Sequence, residues 1–234
     1  MSFWSEVNFL MDSIPKWVSS FATAFIGAFI GGLFTLKGVD RQAKITRAGA
    51  ERESLELQLS VLKGVKGEIS TLLNLYNKRM QKHINNIGPE KKLEIGFPVG
   101  EDNFTFYEKN ANIIAKLNDT PRDSIIKIYT YARSLIQSYK GYNDLIVEHE
   151  KILFEMTDNN KDKEMQRILL TKKDYVMVDY SQGIKAIDAE VRVVIDDGFD
   201  IINKEIKTLE KKLKYLSKRN SCFHFIHKRF SDQE

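Results

Sequence analysis

Twenty consecutive residues, Trp17 to Leu36, carry no charge. As a helix rising about 1.5 Å per residue, the run covers roughly 30 Å, the hydrocarbon thickness of a bilayer. A helix buried in a protein core is the competing reading, but uncharged runs of this length are rare there. The hydroxyls within it, on Ser19, Ser20, Thr23 and Thr35, can bond back to the preceding turn. The spacing predicts a transmembrane helix over 16–37. A cleaved signal sequence would show an early basic region, a shorter apolar core and a small-residue cleavage site. Here Lys16 is the first basic residue, Glu6 and Asp12 precede it, and no Ala-x-Ala follows. The run reads as a retained anchor.

Both tryptophans, Trp4 and Trp17, fall at or before its start, where the headgroup level suits an amphipathic ring. Phe3, Val7, Leu10 and Ile14 recur at helical spacing beside Trp4 and Met11, and Pro15 ends the pattern. Residues 1–15 are therefore expected to form an interfacial amphipathic segment, with an unstructured apolar tail as the alternative. After the run come Lys37, Arg41, Lys44 and Arg47, opposed only by Asp40. The positive-inside rule puts this basic flank at the cytoplasmic leaflet and the amino terminus outside, in a single-pass inner-membrane topology.

Within the run, Ser20, Ala24, Ala28 and Gly32 form one small-residue row, and Thr23, Gly27, Gly31 and Thr35 the adjacent one. Small faces let helix backbones approach closely in lipid, so self-association through the span is expected. A monomeric anchor is the plainer alternative.

The remainder reads as all-α: a cytoplasmic bundle or hairpin of long helices with coiled-coil-like packing. Four prolines and 13 glycines are too few for a sandwich or barrel. Residues 38–87 are expected to form a polar stalk and a first long helix. Its seam comprises Leu55, Leu59, Leu62, Lys66, Ile69, Leu73, Tyr76 and Met80, with Lys66 a defect bracketed by Gly64 and Gly67. Gly88, Pro89, Gly96, Pro98 and Gly100 mark a loop over 88–103. The bundle continues over 104–219. A short helix from Phe104 to Leu117 leads to Asp119 or Thr120 as cap, with Pro121 at the first helical position. A long stripe then runs from Ile125 through Leu135, Tyr139, Tyr142 and His149 to Met156. Asp158 to Asp162 is a turn, and a last helix runs from about Lys163 to Arg219 along Ile195, Phe199, Ile202, Ile206, Leu209, Leu213 and Leu216.

Chemistry is sparse. The chain lacks His-Glu-x-x-His, a phosphate loop and a Gly-x-Ser-x-Gly elbow. One cysteine excludes an intrachain disulfide framework. Cys222, His224 and His227 are three potential ligands without a fourth, so an amphipathic tail is the better reading. Asp196-Asp197-Gly198-x-Asp200 is too short for a calcium loop, and His149 on the seam reads as a hydrogen-bonded core residue. No catalytic, cofactor-binding or metal-ligating residue is expected, and the chain does not read as an enzyme. The basic aromatic tail at 220–234 follows a stretch in which nine Lys and Arg stand between Lys204 and Arg229. It reads first as a solvated helix face, then as a patch for anionic lipid. A nucleic-acid contact ranks last because no reading motif accompanies the charge.

The stretch Phe104-Thr105-Phe106-Tyr107-Glu108-Lys109-Asn110 to Leu117, followed by Ile125-Ile126-Lys127-Ile128-Tyr129, resembles a pattern in small bacterial and phage-encoded membrane proteins. In architecture the chain is similar to single-span bacterial membrane effectors of antiphage systems, of retron or abortive-infection type. The resemblance implies an effector that compromises the inner membrane when a cytosolic protein or ribonucleoprotein partner activates it. It carries no functional residue over. The alternative class is a membrane-tethered coiled-coil scaffold that leaves the bilayer intact.

Overall fold

The computed structural model describes residues 16–98, 100, 104–157 and 162–231, with the backbone alone for 16–23, 26 and 219–231. The interfacial segment expected at 1–15, most of the Asp158–Asp162 turn and the side chains of the 220–234 tail lie outside the described residues. Five helices occur, and no strand among the described residues: α1 Lys16–Asn85, α2 Thr105–Lys109, α3 Ala111–Ile114, α4 Asp119–Glu155 and α5 Lys163–Ser231. The chain divides into two compact units, Met1–Ser54 and Leu55–Glu234.

The described part of the first unit is the leading stretch of α1. Every described side chain from Ala24 to Gln42 is exposed. The transmembrane helix expected at 16–37 is not met among the described residues, where no helix is long and apolar enough to cross a membrane. The side chains of residues 17–23 lie outside the described residues, and from Ala24 to Leu36 the described part of the uncharged run covers about 20 Å.

In the second unit α1, α4 and α5 pack around one core. Leu62, Val65, Ile125, Ile128, Tyr142, Ile184 and Ile202 are all at most 1% exposed. The pairing pattern gives the directions. Lys63 meets Glu210 and Tyr76 meets Asp188, so α1 and α5 are antiparallel. Asn118 meets Glu205 and His149 meets Asp174, so α4 and α5 form an antiparallel hairpin. Glu68 meets Tyr129 and Tyr76 meets Tyr139, so α1 and α4 are parallel. Parallel neighbours need a return connection, and residues 86–118 supply it.

The seams hold broadly, with local corrections. On α1 the buried face is wider than the stripe, because Val61 and Val65 are buried beside Leu62 and Ile69. Lys66 is half-buried, with Nζ 2.7 Å from Asn203 Oδ1 and 5.9 Å from the Phe199 ring centroid. The helix is unbroken at Gly64 and Gly67. Gly64 is required because a Cβ there would overlap the ring of Phe106. The single helix expected from Phe104 to Leu117 is two short ones, split at Asn110 (φ −111°, ψ 13°), whose Nδ2 donates to the Phe106 carbonyl at 2.8 Å.

The cap of α4 is Asn118, not Asp119 or Thr120, and Pro121 stands in the first turn, where its missing N–H costs nothing. Asp162 caps α5, its Oδ1 accepting from Glu164 N at 3.0 Å and Met165 N at 3.3 Å. The α5 backbone continues to Ser231, past the end expected near Arg219.

Leu135 and Leu209 lie within the core at 6% and 1% exposure. Leu135→Asp or Leu209→Asp should each cost several kcal/mol, on the order of an unpaired charge placed among apolar groups. Urea unfolding followed by helical circular dichroism checks this: midpoints equal to the parent's would mean these stripes do not form the core.

Candidate functional site

The helix stretch Ala24–Arg47 carries the residues expected to meet lipid and to pack helix on helix. Phe25, Phe29 and Phe34 are 71%, 64% and 73% exposed, and Ile30, Leu33 and Leu36 are exposed beside them. A Cβ built on Gly27, Gly31 or Gly32 meets nothing within 4 Å, so the small-residue face is open. Ala24 and Ala28 share that exposure, while the side chains of Ser20 and Thr23 lie outside the described residues. Thr35 donates its hydroxyl to the Gly31 carbonyl at 2.9 Å, the back-bond that lets a hydroxyl sit in an apolar helix. In the basic flank Lys37, Arg41, Lys44 and Arg47 are all exposed, and Lys44 pairs with Asp40 at 2.8 Å. This pair is solvated and contributes little to stability.

The second unit holds a set of polar side chains that the stripes did not reveal. The Glu68 carboxylate, half-buried on α1, accepts from Phe106 N at 2.8 Å, Tyr107 N at 3.2 Å and the Tyr129 hydroxyl at 2.6 Å. It thereby satisfies the first amides of α2, whose own cap residue Phe104 offers no side-chain bond. Burial first, then the Glu68 bond and charge, push the Tyr129 hydroxyl pKa well up, so it stays a donor.

Eight residues along, the Tyr76 hydroxyl lies 2.8 Å from Asp188 Oδ1 and 3.0 Å from the Tyr139 hydroxyl. Arg192 clamps the Asp188 carboxylate at 2.9 and 3.1 Å. Burial pushes the Tyr139 hydroxyl up to about 12. At the α4–α5 tip, Asp174 Oδ1 lies 2.5 Å from Lys92 Nζ and 3.1 Å from His149 Nε2. His149 is thus hydrogen-bonded and largely buried, as its seam position implies. Burial alone would raise the Asp174 carboxyl, but the bond and charge of Lys92, then those of His149, outweigh it and hold the carboxyl below its usual range.

None of these clusters assembles a nucleophile, a base and an oxyanion donor around open space. Among the described residues no three His, Cys, Asp or Glu side chains gather as metal ligands; Cys222, His224 and His227 lie outside them. Asp196, Asp197 and Asp200 are helical, and Gly198 lets α5 approach Ile128 and Ser124 of α4 closely. The one sequence signal for the polar set was tyrosine on the seams, at Tyr76, Tyr139 and Tyr142. Its carboxylate partners stand at positions indistinguishable from solvated ones.

Two predictions follow from these bonds. Glu68→Ala leaves two amides and a hydroxyl without their acceptor and should cost about 2–4 kcal/mol in urea unfolding, at the upper end for bonds to a charged group. Because the Asp174 pKa is lowered, its contribution to stability is present above the ordinary carboxylate range and is lost as pH falls through the folded value. Asp174→Asn should remove that part of the acid-unfolding curve while leaving the neutral-to-alkaline part parallel to the parent's.

Comparison with protein-family models, with curated proteins and with solved structures finds no match to this chain.

Proposed function

We propose that the chain is a membrane-anchored bacterial defence effector, in which the uncharged run seats the protein in the inner membrane and perturbs it on activation by a cytosolic partner. The observation that carries this reading is the exposure of Phe25, Phe29, Ile30, Leu33, Phe34 and Leu36 along the helix, opposite its small-residue face. Apolar surface of that extent marks a membrane or protein interaction. Lipid satisfies it without a matching partner, and the four basic residues that follow suit an anionic inner leaflet.

Self-association would use the open rows at Ala24, Gly27, Ala28, Gly31 and Gly32. The helical second unit would be the part that a protein or ribonucleoprotein partner rearranges. No catalytic step enters this proposal. A tethered scaffold is the second reading, favoured by how much of the chain is continuous helix engaged only in its own packing.

Gly27→Leu with Gly31→Leu separates the two readings. A Cβ added at either position meets nothing within 4 Å among the described residues, so the leucines act on contacts between copies. Overproduced parent should make cells permeable to an excluded dye, and the inserted double variant should not. Permeability that persists in the double variant removes the small-face mechanism; permeability in neither favours the scaffold. A reporter after Glu234 should be active only in the cytoplasm and a tag before Met1 reachable from outside spheroplasts. The opposite labelling overturns the orientation drawn from Lys37, Arg41, Lys44 and Arg47.

A further inference from the structure

Close-packed interiors hold few voids larger than a water molecule, yet the second unit contains an apolar cavity of about 260 Å³ between α1, α4, α5 and the return segment. Its inner wall is Ile128, Leu135, Val191 and Ile195, all buried. It opens to solvent where the lining residues Leu75, Arg79 and Pro98 are exposed.

The polar groups along it are already committed, with one exception. The Tyr76 hydroxyl is held by Asp188 and Tyr139, and the Tyr129 hydroxyl by Glu68. Arg79 has no ion pair or hydrogen bond among the described residues. An apolar chamber with one lining arginine, unpaired among the described residues, at its mouth matches an amphiphile with an apolar tail and one anionic head. A cavity of about 150 Å³ takes the six carbons of benzene, so this one scales to a tail of about ten. We infer that the cavity binds a medium-chain fatty carboxylate, its tail against Leu135 and Val191 and its carboxylate paired with Arg79. A carboxylate suits the site better than an alcohol of equal length because guanidinium forms paired, charge-assisted bonds to it.

The test uses the full chain in phospholipid nanodiscs, with empty discs subtracted, and radiolabelled decanoate in equilibrium dialysis. Decanoate should bind saturably at one per chain, more tightly than decanol, and should raise the thermal midpoint of helix loss. Ala132→Phe and Leu72→Trp place bulk in the cavity and should each weaken binding at least ten-fold, with helical circular dichroism confirming the fold. Arg79→Gln should weaken decanoate about five-fold and erase its advantage over decanol. Absence of saturable binding and of a midpoint shift overturns the inference, as does binding that both filling variants leave unchanged. Unaltered decanoate preference in Arg79→Gln overturns the assignment of the head group. None of these outcomes depends on whether the chain permeabilises membranes.

Discussion

A peptide segment enclosed between helices must place every N–H and C=O on a partner, and the second unit is organised around that requirement. Residues 86–118 run back along the bundle to make α1 and α4 parallel, and they have little regular structure of their own. Besides the segment's own turns and short helices, side chains of the long helices satisfy part of its described backbone. Lys185 donates to the Ile87 carbonyl, Gln182 to that of Gly88 and Tyr142 to that of Leu93. Ser181 accepts from Leu93 N, and Asn143 both accepts from and donates to Phe97. Glu68 takes two amides in the first turn of α2. These polar residues sit in the helices because the segment between them needs them.

Aromatic rings complete the attachment. Phe97 lies 5.8 Å from Tyr76 and 5.2 Å from Tyr139, while Tyr107 stacks on Tyr129 at 4.0 Å and Phe104 meets the same ring edge-on at 5.1 Å. The return segment is thus held by two aromatic clusters, one on each side of the cavity lined by Phe97 and Phe104. The chamber exists because rigid rings bridge the helices at two levels and leave the space between them unfilled.

The long helices were legible in the sequence because their signal is periodic and summed over many turns. Ile125, Ile128, Leu135, Tyr139, Tyr142, Ile202 and Leu209 were read on the seams and are buried. What escaped the pattern depends on pairs distant along the chain. Gly64 reads as a helix weakness until Phe106 is seen to occupy its place. Glu68 and Asp188 read as solvated charges until Tyr129 and Tyr76 reach them. The expected cap at Asp119 or Thr120 fell one or two residues late because α4 begins at Asp119, and Asn118 spends its amide on Glu205. Of the residues singled out for membrane contact, Gly27, Gly31 and Gly32 are found open; what they meet is a property of other molecules, which periodicity in one chain does not encode.

The Glu68 cap also joins the exchange behaviour of two regions 38 residues apart. The amides of Phe106 and Tyr107 have an acceptor on α1 instead of one within their own short helix. They are released to solvent when α1 and the return segment separate, whatever the state of α2 itself. A five-residue helix alone would fray at every moment; anchored in this way, its first turn shares the opening free energy of a 70-residue helix.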